Sequence, residues 1–267
     1  MPSNKKSLSV VVPTYEEALN IRPLCERVFK ACNDADLNAE LLIVDDDSGK
    51  GTKDTEKIVA KLQKEGYAIR IRVRAREEGK GLSSAVVLGL QLAEHDNLLV
   101  MDADLQHEPE SVPKVAAPIL DGKADFSVGS RNVGGGVVED WPLFRRIVSF
   151  VATSLALPLT TCSDPMSGFF SLRKETFEKG AGKLNPMGYK IGLELMVRCK
   201  CKRVVEVPIR FRDREAGESK LTMKQNVLYL QHLFHLYNFK FPVLCALLYA
   251  AVAFALYYAY KFLAADM

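Results

Sequence analysis

Leu98-Leu99-Val100-Met101-Asp102-Ala103-Asp104-Leu105-Gln106-His107 is the stretch on which the reading of this 267-residue chain turns. Four apolar residues read as a short buried strand, and two carboxylates and a carboxamide follow at alternate positions. The apolar run recurs on both sides of it. Leu8 to Val12, Leu41 to Val44, Ile69 to Val73 and Phe126 to Val128 are further β-branched or apolar runs. Ala18 to Lys30, Thr55 to Glu65 and Leu82 to Ala93 lie between them with helical periodicity. Strand and helix in alternation predict an α/β fold, a mixed and mostly parallel sheet with helices on both faces. In such sheets ligands sit beyond the carboxyl ends of the strands. The polar clusters fall there: Pro13-Thr14-Tyr15-Glu16-Glu17, Asp45-Asp46-Asp47-Ser48 and Asp102-Ala103-Asp104.

An Asp-x-Asp pair alone is common, but one leaving an apolar strand with Gln106 and His107 behind it is a hard, oxygen-rich cluster. It suits Mg²⁺ or Mn²⁺ shared with substrate phosphates. At the end of the second strand, a carboxylate of Asp45-Asp46-Asp47 can accept from the ring N–H groups of a base, while Asp47 and Ser48 suit a turn and helix cap. Gly49-Lys50-Gly51-Thr52 lacks the spacing of a phosphate loop.

Composition narrows the class. Charged residues are 26% of the chain and the net charge is +3, too weak to argue for nucleic acid. Nine Lys and Arg against four Asp and Glu between Arg198 and Lys224 make a local basic excess. That suits a solvated face, an anionic substrate or lipid headgroups. The six cysteines form neither a disulfide framework nor a zinc pattern, which fits a reducing compartment. Phe241 to Tyr260 is free of formal charge and bracketed by Lys240 and Lys261. Such a length crosses a hydrocarbon core of about 30 Å as a helix. A membrane span is expected there, with a helix lying in the interface or in a dimer contact as the alternatives. Lys224 and Lys240 on its near side predict a cytosolic catalytic domain. The expected division is therefore 1–237 as the catalytic domain and 238–267 as the anchor. Leu143 to Leu157, apolar and led by Arg145-Arg146, is either a core helix or one lying on the membrane surface.

Pro13-Thr14-Tyr15-Glu16-Glu17, Asp45-Asp46, Asp102-Ala103-Asp104-Leu105-Gln106-His107 and Gly129-Ser130-Arg131 stand in the order of the family 2 glycosyltransferases of GT-A (Rossmann-like) fold. Asp140-Trp141-Pro142-Leu143-Phe144-Arg145-Arg146, Asp164-Pro165-Met166-Ser167-Gly168-Phe169-Phe170, Gly188-Tyr189-Lys190-Ile191 and Glu215-Ala216-Gly217-Glu218-Ser219-Lys220-Leu221 narrow the resemblance. Over residues 8 to 225 the chain resembles the dolichyl-phosphate β-mannosyltransferases, in their single-subunit, membrane-anchored form. Glu16, Lys50 and Asn132 depart from the family's usual residues without touching those given roles below.

The resemblance implies a metal-dependent, inverting transfer of mannose from GDP-mannose to dolichyl phosphate. The product would be the lipid-linked mannose donor for glycosylation and GPI-anchor assembly. Pro13, Tyr15, Glu17, Val44 and Asp46 would hold the nucleoside. Asp102, Asp104 and Gln106 would hold Mg²⁺ or Mn²⁺ against the diphosphate, with the Ala103 backbone alongside. Arg214 and Lys220 would close over the donor phosphates near Ile191. Arg131, Arg145 and Ser149 would hold the acceptor phosphate, with Asp104, Arg131 and Arg145 the catalytic set. The implied setting is the endoplasmic reticulum membrane, with the lipid bilayer as partner and no obligatory protein subunit. A glucosyltransferase using UDP-glucose and an inactive nucleotide-binding scaffold are the rival readings.

Overall fold

The computed structural model describes residues 5–75, 80–138, 143–212 and 223–265. Its centre is a seven-stranded sheet. The strands β1 (Ser7–Thr14), β2 (Asn38–Asp45), β3 (Ile69–Val73) and β4 (Asn97–Val100) come first. β5 (Phe126–Ser130), β7 (Phe170–Arg173) and β8 (Val204–Pro208) complete it, and β6 (Val137–Val138) pairs separately with β9 (Arg210–Phe211). The order across the sheet is β3-β2-β1-β4-β7-β5-β8. All neighbours are parallel except β7, which runs antiparallel to both β4 and β5. The chain builds outward from β1 to β2 and β3, then crosses to lay β4 on the other side of β1. That reversal opens the crevice between the ends of β1 and β4.

Both faces of the sheet are covered, which is why β1, β2 and β4 carry near-continuous apolar runs. Val10 and Val12 point into a core with α1 (Ala18–Asp34) and α2 (Lys50–Lys64), and α4 (Val112–Leu120) packs on the same side. Val11, one residue out of phase, points into a second core under α3 (Leu82–Leu92), with α6 (Lys174–Ala181) and α7 (Ile191–Arg198). α2 begins at Lys50, five residues ahead of the Thr55 expected from periodicity. Gly49, at φ 76°, turns the chain, and Asp45 accepts a hydrogen bond from Thr52 Oγ1 at 2.5 Å, fixing the first turn beneath β2.

α5 (Leu143–Ala156) matches the helix expected over 143–157, and exposes Ile147, Phe150 and Val151. α8 (Met223–Lys240) lies across it, its Tyr229 and Tyr237 hydroxyls donating to the Ala152 and Leu155 carbonyls. α8 runs through the expected 237/238 boundary, and the break falls at Phe241, just before Pro242 opens α9 (Pro242–Ala265). Among the described residues no single helix is long and apolar enough to cross a membrane. Gln225–Lys240 and Pro242–Tyr258 reach that length together but meet at a bend of 112°. The segment expected to span, 241–260, falls almost wholly within α9, and the apolar pair that reaches spanning length is bent.

Candidate active site

The first strand ends gather the residues assigned to the nucleoside. In register, Pro13 lies beside Val44 and Thr14 beside Asp45. Asp45 is fully buried and its carboxylate accepts from Thr14 and Thr52, so it is a structural brace. Asp46 faces another way. Its carboxylate accepts from Arg74 Nε at 2.5 Å and from the Gly81 N–H at 2.7 Å. Arg74, 2% exposed, also donates to Ser84 Oγ and the Gly81 carbonyl. Lys80 donates to the Asp46 and Asp47 carbonyls, and its ammonium stands 5.8 Å from the centre of the Tyr15 ring. Tyr15 is 40% exposed and offers that ring as a platform. Glu17 accepts from Asn20 across the first turn of α1. The Val44 side chain is buried under α3, where Val44 packs closely on Gly89, so its main chain is what it offers a ligand. Ile191 and Ala103 are buried likewise.

The acidic loop leaves β4 as expected. Asp104 is 6% exposed and accepts the Gln106 N–H at 3.2 Å, spanning Leu105. Leu105 adopts φ 59°, a left-handed conformation that costs a bulky side chain energy, and its side chain is locked in the first core. The strained turn is what lets Asp104 reach the Gln106 N–H. Gln106 Nε2 donates to the Arg212 carbonyl at 3.0 Å, and the Arg212 N–H returns to the Gln106 carbonyl at 3.0 Å. Asp102 remains about one-third exposed. Gly168 lies against it so closely that a Cβ there would stand 3.0 Å from Asp102 Oδ2. His107 is 2% exposed, and burial pushes its pKa down to about 4 against the opposing charge of Asp104, so the ring is neutral.

A basic group closes the other side. Arg131, at the end of β5, donates to Asp164 through its backbone N–H, Nε and Nη2 at 2.9, 2.8 and 2.7 Å. Burial opposes ionisation of Asp164, yet the hydrogen bonds and charge of Arg131 outweigh it and hold the carboxyl below its ordinary value. The Arg131 guanidinium also lies 5.1 Å from the Phe211 ring centre. Lys190, partly buried, donates to the Met166 carbonyl at 3.3 Å. Burial and then the Arg131 cation push its pKa down to about 8, against the pull of Asp102 and Asp164. Ser149 is half-buried on α5, and Arg145 falls on the first turn of that helix, its side chain outside the described residues. Arg214 and Lys220 also lie outside them.

Sequence reasoning missed Arg74, Lys80 and Lys190, and gave Asp164 no role. Arg74 carried a usable signal, since it stands at the carboxyl end of β3 as Asp46 does at β2. The Asp164 pairing had none, because it joins residues 33 apart across two loops.

Residues 9–181 match the profile of Glycosyl transferase family 2. The dolichol-phosphate mannosyltransferase of Mycosarcoma maydis is 46% identical over 246 residues, covering 90% of this chain and 82% of that one. Its namesake from Saccharomyces cerevisiae is 44% identical over 241 residues, covering 87% and 88%. The chain belongs to glycosyl transferase family 2, among the dolichol-phosphate mannosyltransferases, and is a glycosyltransferase. Glucosyl-3-phosphoglycerate synthase of Mycobacterium tuberculosis, solved with Mg²⁺ and UDP, is 18% identical. It superposes with a TM-score of 0.56 over 88% of this chain and 79% of its own, which establishes the GT-A-like fold.

Proposed function

We propose that the protein transfers mannose from GDP-mannose to dolichyl phosphate, with inversion, at a membrane surface. One observation carries the reading. The acidic loop, the Arg131–Asp164 pair and Lys190 meet in one place, in a domain whose helices α5, α8 and α9 expose apolar residues. Anion-holding groups beside an apolar surface suit a phosphate whose tail stays in a bilayer. The identity to enzymes named for this acceptor supports it.

Asp102, Asp104 and Gln106 fit a divalent cation by chemistry, being oxygen donors in one short loop. Among the described residues no three His, Cys, Asp or Glu form a cage. A cation completed by substrate phosphates needs none. When bound, Mg²⁺ or Mn²⁺ would neutralise charge on the diphosphate. Pro13, Tyr15, Glu17, Val44 and Asp46 would hold the nucleoside, with Arg74 orienting Asp46 and the Ala103 backbone and Ile191 nearby. Arg214 and Lys220 would meet the donor phosphates. Arg131, Arg145 and Ser149 would hold the acceptor phosphate, Asp164 fixing the plane of the Arg131 guanidinium.

An acceptor phosphate oxygen attacks the anomeric carbon as the bond from that carbon to the GDP oxygen breaks, so α-linkage becomes β. A phosphate monoester has a second pKa of about 6 and is already anionic near neutrality. No residue must take a proton from it. The protein aligns the two phosphates and stabilises the departing GDP. The bent α8–α9 pair would hold the domain at the bilayer, in the endoplasmic reticulum with the site facing the cytosol. The test is mannose transfer from radiolabelled GDP-mannose to dolichyl phosphate in detergent, with and without Mg²⁺ or Mn²⁺. Metal-dependent mannolipid is the expected product. Transfer from UDP-glucose in its place would overturn the donor assignment, and no transfer from either would overturn the reaction.

A further inference from the structure

His107 Nδ1 is enclosed by protein and has no hydrogen-bond partner. The ring is packed between Phe169 and Phe211, each 5.2 Å away between centres, and its backbone bridges that of Phe211. A phenyl ring would fill such an aromatic slot without leaving a polar atom unsatisfied, a cost comparable to a lost hydrogen bond. The nitrogen points at the acidic loop, with Asp102 Oδ2 3.9 Å from it, just beyond bonding distance. The ring is caged, whereas the Asp102 carboxylate is about one-third exposed. Gly168 lies against the same oxygen, since even a methyl group there would crowd Oδ2.

We infer that His107 is the positioning residue of the acidic loop, its Nδ1–H donating to Asp102 when a divalent cation is held there. The inference rests on the metal reading above. A carboxylate only accepts, so the ring proton sits on Nδ1 in that state. Carboxylates that hold metals are commonly fixed by a second donor behind them, whose loss weakens binding about 10- to 100-fold. His107 supplies that donor from a ring held between Phe169 and Phe211.

The experiment measures Mn²⁺ binding to the full chain in detergent with GDP present, for wild type, His107→Phe and His107→Asn, along with the metal-free melting temperature of each. H107F keeps the ring and removes the nitrogen. It should melt no lower than wild type without metal, yet bind Mn²⁺ about tenfold more weakly. H107N places a carboxamide N–H close to the Nδ1 position and should retain affinity within about threefold. Should H107F fail to fold, H107N alone decides, and a tenfold loss there overturns the inference. Wild-type affinity in H107F, or equal weakness in both variants, also overturns it. Wild type that binds no Mn²⁺ even with GDP removes the metal reading, and this inference with it.

Discussion

Asp164→Asn tests whether the Arg131 pair is a structural keystone of the site. Asp164 is 1% exposed at its side chain and Arg131 11%, so neither charge is well hydrated. Removing one partner of a buried pair costs about 3–5 kcal/mol, because the survivor is left charged and unpaired. Asn retains one acceptor for the three Arg131 donors, which places the loss near the lower end, about 3 kcal/mol. For a chain of this size that lowers Tm by roughly 6–12 °C. The assay is thermal unfolding in detergent from pH 7 to pH 3. The folded-state pKa of Asp164 is depressed, so its contribution is complete above the unfolded value of about 3.9 and is lost as pH falls through the folded value. The gap between wild type and D164N is therefore full at pH 7 and narrows below about pH 4. Replacing both partners with methionine should recover most of the loss, since no orphaned charge remains. A D164N protein within about 1 kcal/mol of wild type at pH 7, or a gap that persists unchanged to pH 3, would refute the reasoning.

Gly89→Ala places a methyl group 2.3 Å from Val11 Cγ1, so α3 must lift from the sheet. Chemical denaturation should show a loss of about 1–3 kcal/mol. Lys190→Met acts in the opposite direction. The folded pKa of about 8 lies below the ordinary lysine value, so charging Lys190 costs stability in full below pH 8, and the cost fades as pH rises from there to about 10.4. Discounted for partial exposure, K190M should be more stable by about 1–2 kcal/mol at pH 7 and equal to wild type near pH 10, read from denaturation at both values. His232→Ala removes the ring whose Nε2 lies 2.6 Å from buried Glu194 Oε2 and ties α8 to α7. Hydrogen exchange should quicken in α8, corresponding to about 1–3 kcal/mol, with the sheet unaffected.

The sequence announced the half of the fold that is local. β1, β2 and β4 are short apolar runs, each ending in a polar cluster, and the parallel pairing of β1 to β4 follows from helices long enough to cross over. β7 is different. Phe170-Ser171-Leu172-Arg173 has no distinctive pattern, and it is a strand because β4 and β5 flank it. The acidic loop was legible because its chemistry is compressed into five residues. The partners that give it shape come from elsewhere: Arg212 from beyond β9, Gly168 before β7, and Phe169 and Phe211 around His107. The terminal span was read from charge-free length. Pro242, good at the start of a helix and poor within one, is what divides α8 from α9, and the bend is a tertiary property.

The small β6–β9 pairing explains why the site's parts share one frame. Arg210 and Phe211 pair with Val137 and Val138, and the next residues along, Phe211 and Arg212, bond to His107 and Gln106. Three segments therefore join in one hydrogen-bonded ribbon. The first is the acidic loop, the second leads towards Arg214 and Lys220, and the third leads towards Arg145 and Ser149 on α5. In the proposed reaction these hold the metal, the donor phosphates and the acceptor phosphate. Transfer without a general base depends on alignment of two phosphates more than on any proton, and misplacement of about 1 Å is expensive in such chemistry. Main-chain bonds define spacing more stiffly than long cationic side chains do. In the proposed reaction the ribbon would refer donor and acceptor to the same loop, and α8, bonded to both α5 and α7, would carry that alignment to the apolar helices.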